Sequence, residues 1–131
     1  MERAARLRPQ DSSYVCSTAQ MLAKLNRHSE AIEQYRRAIQ ISPDSWEAHF
    51  ELAGELVAVN QPDEAIREYS VVLKINPRHV TSHINLGVVL VHFNRLDEAT
   101  ACFQNALKIE PDNQIAQEYL ASVRAHKAQI H

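Results

Sequence analysis

Apolar residues along the chain recur at the three- and four-residue spacing of amphipathic helices. In the segment 44–77 this pattern occurs twice, and a short polar stretch around Asn60 separates the two runs. The apolar positions of the first run are Phe50, Leu52, Ala53, Leu56 and Val57, and those of the second run are Ala65, Ile66, Tyr69, Val72 and Leu73. The sequence therefore predicts a pair of short helices in this segment.

The helix pair belongs to a unit of 34 residues that occurs three times. Four of the five prolines follow one another at intervals of 34 (43 − 9, 77 − 43 and 111 − 77), namely Pro9, Pro43, Pro77 and Pro111. Aligned without gaps, segments 44–77 and 78–111 share 12 identical residues, and segments 10–43 and 44–77 share 9. A short amphipathic helix pair cannot bury its apolar face alone, so neighbouring units are expected to stack.

A few polar residues place the turns and the helix ends of each unit. An asparagine closes the first helix, because asparagine tolerates the left-handed conformation found there. These asparagines are Asn26, Asn60 and Asn94. A capping side chain is predicted just before the second helix, and the predicted caps are Ser29, Asp63 and Asp97. We also expect Asp44 to cap the next helix, with Glu47 completing a capping box.

The units resemble the tetratricopeptide repeat, whose signature is W-x-x-L-G-x-x-Y, then A-x-x-x-F, then P. The matching residues are Leu86, Gly87, Ala99, Phe103 and Pro111 in the third unit, Leu52, Ala53, Ala65, Tyr69 and Pro77 in the second, and Ala19, Ala31, Tyr35 and Pro43 in the first. Val15, His49 and His83 stand where the signature has tryptophan. The resemblance extends over residues 10 to 128.

The resemblance implies an all-α fold, a right-handed helix-pair solenoid of three repeats and a C-terminal capping helix. The repeats are expected at 10–43, 44–77 and 78–111, after a tail of a preceding partial repeat at 1–9. The capping helix is expected within 112–131, and its buried face is predicted at Ile115, Ala116, Tyr119, Leu120 and Val123.

The resemblance also implies that the first helix of each repeat lines a concave groove that holds a peptide of a partner protein. The predicted groove residues are Gln20, Glu47, Phe50, Glu51, Thr81, Ile84, Asn85, Val88, Val91 and Glu118. Family members that bind the C-terminal carboxylate of chaperones use cationic groove residues. Here Cys16, Gln20, Glu51, Thr81 and Asn85 occupy those positions. The carboxylate clamp is therefore excluded, because Glu51 would repel such a ligand.

The predicted groove instead combines apolar side chains with carboxylates at Glu47, Glu51 and Glu55. This combination favours a peptide with an apolar anchor and at least one lysine or arginine. Packing between helices is the alternative for Phe50 and Ile84, and a solvated helix face is the alternative for the three glutamates.

Composition argues against several other functions. The net charge of −2 and the acidic groove do not favour nucleic acids. The histidines lack the further ligands of a metal site, and no catalytic motif occurs, so we expect neither a cofactor nor enzymatic activity. The two cysteines are too few for a disulfide framework and no signal or membrane segment occurs, which favours the cytoplasm.

Two alternatives to a peptide-binding scaffold remain open. The segment 1–41 carries 7 basic and 4 acidic residues, and 42–131 carries 7 and 12, so copies of the chain could associate through open repeat ends. The chain could also be a regulatory or substrate-recruiting part of a larger enzyme such as a glycosyltransferase.

Overall fold

The computed structural model describes residues 11–130, and all regular secondary structure in this range is helical. The helices are α1 (Ser12–Lys24), α2 (His28–Ile41), α3 (Trp46–Ala58), α4 (Pro62–Ile75), α5 (Val80–His92), α6 (Leu96–Ile109) and α7 (Gln114–Ile130). They form three helix pairs followed by a single C-terminal helix, which confirms the predicted fold class. The tail predicted at 1–9 lies outside the described residues.

The helix boundaries repeat with the predicted period of 34 residues. The first helices α1, α3, α5 and α7 begin at residues 12, 46, 80 and 114. Asn26, Asn60 and Asn94 have φ angles of 62°, 62° and 58°, so each occupies the left-handed region at the end of a first helix. This confirms the asparagine prediction, and the reason is local, since few other side chains tolerate that backbone conformation.

The predicted helix caps were wrong. Helices α2 and α6 begin one residue before Ser29 and Asp97, and their N-caps, Arg27 and Arg95, make no side-chain capping bond. An acidic residue in the first turn forms an ion pair with the N-cap arginine instead, as Glu30 does with Arg27. The cap of α3 is Ser45, and not Asp44, because the Ser45 hydroxyl accepts a hydrogen bond from the backbone N–H of Ala48.

Contacts divide the chain into two compact units, which are described separately. Unit 1 ends at Glu68 and unit 2 begins at Tyr69. In unit 1, α2 packs against both α1 and α3. The shared core consists of Ala19, Ala31, Ile32, Tyr35, Leu52, Leu56 and Ala65.

In unit 2, α6 packs against both α5 and α7. The ring of Phe103 lies against Gly87, which has no side chain to obstruct it. On the α7 side, Phe103 stacks on Tyr119 with 5.3 Å between ring centroids. The prediction that Ile115 belongs to the buried face of α7 was wrong, because it is 57% exposed, whereas Tyr119 lies on the face that covers the third helix pair, as predicted. Tyr119 covers Phe103 with one ring face and remains open on its outer side.

The alanines at matched positions of the three repeats have the same environment. Ala31, Ala65 and Ala99 near the starts of α2, α4 and α6 are all fully buried. Small residues at these positions allow the two helices of a pair to approach closely. The three repeats are therefore equivalent in burial at this alanine position.

Candidate functional site

Unit 1 carries a row of three carboxylates on α3, which we call the acidic face (Glu47, Glu51 and Glu55). Their spacing of four residues places them on the same side of the helix. Glu47 is exposed, whereas Glu51 and Glu55 are half-buried. Glu55 Oε1 lies 2.6 Å from His28 Nδ1 at the start of α2. No lysine or arginine within residues 11–130 forms an ion pair with Glu51.

Two side chains from the other helices of unit 1 approach the acidic face. Cys16 of α1 packs against the core cluster that contains Tyr35 of α2. Both are close enough to Glu51 to interact with its charge. Cys16 is half-buried, and Tyr35 is only 1% exposed. Three helices therefore converge at Glu51.

The pKa values of three groups around Glu51 are raised, first by burial and second by neighbouring negative charge. Burial, and then the neighbouring Glu55, raise the pKa of the Glu51 carboxyl. Burial, and then the charges of Glu51 and Glu47, raise the pKa of the Cys16 thiol. Burial, and then Glu51 and Glu55, also raise the pKa of the Tyr35 phenol. A cation placed here would relieve the repulsion among these groups.

The remaining predicted groove residues of unit 1 are Gln20 and Phe50. Gln20 is exposed on α1, and Phe50 is half-buried on α3, in the turn that also carries Glu47 and Glu51. Unit 1 therefore brings the predicted carboxylates together with Cys16 and Tyr35, and it leaves part of Phe50 accessible beside them.

In unit 2 the predicted groove residues of α5 differ in their accessibility. Asn85, Val88 and Val91 are half-buried, and Thr81 is exposed. Ile84 is only 8% exposed, so it belongs mainly to the core, as the packing alternative anticipated. Asn85 Nδ2 donates a hydrogen bond of 3.4 Å to the Tyr69 hydroxyl.

Glu118 of α7, the last predicted groove residue of unit 2, is exposed. No ion pair is formed by Glu118 within the described range of the chain.

Each second helix carries an aromatic residue in its middle, and the residue opposite it differs from repeat to repeat. The aromatic residue in the middle of each second helix faces a residue 16 positions later, on the next first helix. Contacts are formed by Tyr69 with Asn85 and by Phe103 with Tyr119, and Tyr35 and Glu51 hold the equivalent positions in the first repeat. Sequence analysis assigned these aromatic residues to the repeat signature alone and missed their contact with the groove. The constant 16-residue separation is a signal from which the contact could have been found.

The two histidines at the tryptophan position have a structural role. Nε2 of His49 and Nε2 of His83 lie 2.8 Å from the carbonyl oxygens of Pro43 and Pro77. Each histidine thus attaches its helix to the turn before it. His49 Nδ1 also lies 2.6 Å from Glu68 Oε1. In the described part of the chain, no three His, Cys, Asp or Glu side chains are grouped so that they could hold a metal ion.

Comparison with known families agrees with this architecture. A family model described as a TPR repeat matches residues 19–53, and another described as a tetratricopeptide repeat matches residues 56–124. The chain belongs to the tetratricopeptide repeat (TPR) family. No curated protein matches the sequence of this TPR chain.

Solved structures share the TPR fold at low sequence identity. MamA matches with a TM-score of 0.86 and 17% identity over 92% of this chain and 66% of MamA, so the chain spans just under two thirds of that structure. The first TPR of Spaghetti (RPAP3), bound to the HSP90 peptide SRMEEVD, matches with a TM-score of 0.85 and 17% identity over 95% of this chain and 98% of that one. The Yersinia enterocolitica secretion chaperone SycD, in complex with a YopD peptide, matches with a TM-score of 0.82 and 15% identity over 88% and 93%.

None of the helices described for this TPR chain has the length and apolar character needed to cross a membrane.

Proposed function

We propose that this TPR chain is a non-catalytic module that binds a peptide segment of a partner protein through its first helices. The observation that carries the proposal is the acidic face of unit 1, where the half-buried Glu51 has no cationic partner among residues 11–130. A half-buried carboxylate near other carboxylates is unfavourable in the free protein, and a cationic ligand would stabilise it. Two TPR domains of the same fold, those of RPAP3 and SycD, have been solved with peptides.

The ligand we propose carries a basic residue and an apolar one. The basic residue would pair with Glu51, supported by Glu47 at the exposed end of the acidic face. The apolar residue would contact the accessible part of Phe50 in unit 1. A ligand that ends in a carboxylate cluster would be repelled by the same glutamates, so a clamp-type chaperone peptide does not fit. With both cysteines free, we place the module in the cytoplasm.

A labelled peptide library that varies basic and apolar positions tests this function. We expect hits to combine lysine or arginine with an apolar residue, and Glu51→Lys to weaken them at least about tenfold. Glu33→Lys is the matched control, because Glu33 is exposed on α2 and has no ion-pair partner in residues 11–130. Phe50→Ala tests the apolar contact. Hits that bind equally well to Glu51→Lys and to Glu33→Lys would contradict the proposed ligand.

A second candidate function is self-association through α1, and an internal comparison supports it. Tyr14 and Met21 are 39% and 64% exposed on α1. The residues 34 and 68 positions after Tyr14, Ala48 and Ser82, are fully buried, and Val89, 68 positions after Met21, is 6% exposed. These two positions of α1 are thus more exposed than their equivalents in later repeats, and we propose that they form the contact between copies. Sedimentation of the wild type and of Met21→Glu tests it: a monomeric wild type excludes self-association.

A further inference from the structure

The outer side of α1 has a row of residues in the spacing of a helix-pairing contact, which we call the α1 seam (Tyr14, Thr18, Met21 and Leu25). Tyr14, Met21 and Leu25 are 39%, 64% and 61% exposed, and Thr18 is half-buried. Successive seam residues are separated by four, three and four positions, which is the spacing of the residues that meet in two-stranded helix pairs. Single exposed apolar residues are ordinary, whereas three large ones in this spacing indicate a contact surface.

The equivalent positions of α3 and α7 are covered by other helices. Ala48, 34 positions after Tyr14, is fully buried in one core cluster with Ala38 of α2. Helix α7 packs against α6. Its residues equivalent to the first three seam residues are buried, and they are Ala116, Leu120 and Val123. The α1 seam therefore exposes large side chains at positions that lie against a neighbouring helix elsewhere in the chain.

Thr18 can take part in an apolar contact although it has a hydroxyl group. Its Oγ1 donates a hydrogen bond of 3.1 Å to the carbonyl oxygen of Tyr14, one turn earlier on the same helix. A hydroxyl that is already bonded within its own helix can be covered at little cost, because its proton keeps a partner. The seam is therefore continuous from Tyr14 to Leu25.

The charges of α1 indicate a partner and its direction. The helix has Asp11 as its N-cap, Lys24 in its last turn and no charged residue between them. Asp11 Oδ1 accepts a hydrogen bond from Ser13 N–H, and the second carboxylate oxygen can still pair with a cation. Lys24 has no ion-pair partner within residues 11–130. Two parallel copies of α1 would bring like charges together, whereas two antiparallel copies bring Asp11 of each copy near Lys24 of the other.

The outer side of α7 fits the seam less well than a second α1 does. Opposite its buried residues, α7 presents the exposed residues Gln114, Glu118, Ala121 and Ala125. This side has no large apolar side chain, and it would place the Glu118 carboxylate against the apolar seam. A contact between α1 and α7 of different copies would also extend into an open chain of molecules, whereas a contact between two α1 helices closes with a two-fold axis.

We propose that the α1 seam binds the α1 seam of a second copy, with the two helices antiparallel about a two-fold axis. Tyr14 of each copy then lies opposite Leu25 of the other, and Thr18 lies opposite Met21. The pairing rests on the self-association given above as the second candidate function, and it specifies the partner surface and its direction. Four residues from each copy form a small contact, so the dimer is expected to be weak and to depend on concentration.

Cysteine cross-linking tests both the surface and the direction. In a background with Cys16→Ser and Cys102→Ser, the Tyr14→Cys protein is mixed with the Leu25→Cys protein and oxidised. In the antiparallel pair, two cysteines at the same position are about 16 Å apart along the helix, too far for a disulfide. We therefore expect the mixture to give at least about tenfold more covalent dimer than either protein alone. Cross-linking of each protein with itself, in preference to the mixture, would overturn the antiparallel direction.

Charge variants test the same pairing without engineered cysteines. Sedimentation velocity between about 10 µM and about 1 mM gives the dissociation constants of the wild type, Lys24→Glu and Lys108→Glu. We expect Lys24→Glu to weaken the dimer about three- to tenfold, because each Asp11 then meets a carboxylate of the other copy. Lys108→Glu is the matched control, since Lys108 is exposed in the last turn of α6, and it should leave the dimer unchanged. A dimer that Lys24→Glu leaves unchanged, or that both variants weaken equally, would overturn the pairing.

The pairing and the self-association on which it rests can fail separately. A wild type that remains monomeric at about 1 mM contradicts both, whichever other group covers the seam. A wild type that dimerises without a cross-link between positions 14 and 25 contradicts the pairing alone and leaves self-association through another surface. Peptide binding to the acidic face is measured independently and is unaffected by either outcome.

Discussion

Replacing Gly87 with alanine should destabilise the protein, whereas the same replacement at Gly54 should stabilise it. A Cβ atom added to Gly87 would lie 2.6 and 2.7 Å from two ring carbons of Phe103. These distances are far shorter than any ordinary contact, so the ring or the helix would have to move. The ring cannot withdraw freely, because Tyr119 is stacked on it. A Cβ atom added to Gly54 meets nothing within 4 Å.

Two opposing contributions set the size of the effect. Alanine is favoured over glycine in a helix interior by about 1 kcal/mol, and this gain applies to both positions. Overpacking of a well-filled core costs about 1–3 kcal/mol, and this cost applies only to Gly87. We therefore expect Gly54→Ala to raise the free energy of unfolding by up to about 1 kcal/mol, and Gly87→Ala to lower it by up to about 2 kcal/mol.

Urea denaturation of the two variants and the wild type, followed by circular dichroism, measures this difference. Phe103→Leu serves as the second-site control, because a smaller side chain removes the obstructing ring carbons. In that background Gly87→Ala should become neutral or stabilising, and the double-mutant cycle isolates the contact. The reasoning is refuted if Gly87→Ala is as stabilising as Gly54→Ala in the wild-type background.

Three further predictions concern single side chains. Asn94→Ala should lower the free energy of unfolding by about 1–2 kcal/mol, since alanine is strained at a φ of 58°, whereas Asn94→Gly should lower it less; urea denaturation of both variants compares them. The pKa of Glu51 is raised in the folded state, so the folded protein binds this proton more tightly and stability falls as pH rises above the ordinary glutamate value of 4.5. Glu51→Gln should thus be the more stable protein at pH 7, by about 0.2–0.5 kcal/mol from the like-charge pair with Glu55. Thermal unfolding should show that this advantage vanishes below pH 4.5. Burial, and then Glu98, raise the pKa of Cys102 to about 11, so iodoacetamide should alkylate this thiol about a hundredfold more slowly at pH 8 in the folded than in the unfolded protein; equal rates would contradict its burial.

The features that the sequence predicted correctly depend on local backbone conformation and on the repeat period. The asparagine turns are one example, because the steric limit on left-handed backbone applies wherever the residue occurs. The repeat signature is another, because the alanines that carry it, Ala31, Ala65 and Ala99, are fully buried in all three repeats. In both cases one residue and its place in the repeat are sufficient for the prediction.

The features that the sequence missed depend on a choice between neighbouring candidates. Asp44 and Ser45 are both good capping residues, and only the path of the turn decides that Ser45 reaches the N–H of Ala48. Ile115 has helical spacing with the core residues of α7, yet it is 57% exposed. Which candidate caps a helix or is buried depends on the angles between the helices. The spacing of apolar residues along the chain carries no information about these angles.

The acidic face depends both on the repeat period and on the residue types at the repeated positions. A comparison of the repeats shows how unit 1 differs from unit 2. The 34-residue period determines which two residues lie next to each other. Their residue types determine whether the contact is favourable. Phe103 with Tyr119 gives a ring stack, and Tyr69 with Asn85 gives a hydrogen bond. At the same position, Tyr35 with Glu51 gives neither, although asparagine or an aromatic residue would fit the same backbone. A local arrangement that lowers stability without benefit to packing is expected at functional sites. We therefore propose that a cationic side chain of the ligand binds in unit 1, where the half-buried Glu51 has no cationic partner within residues 11–130.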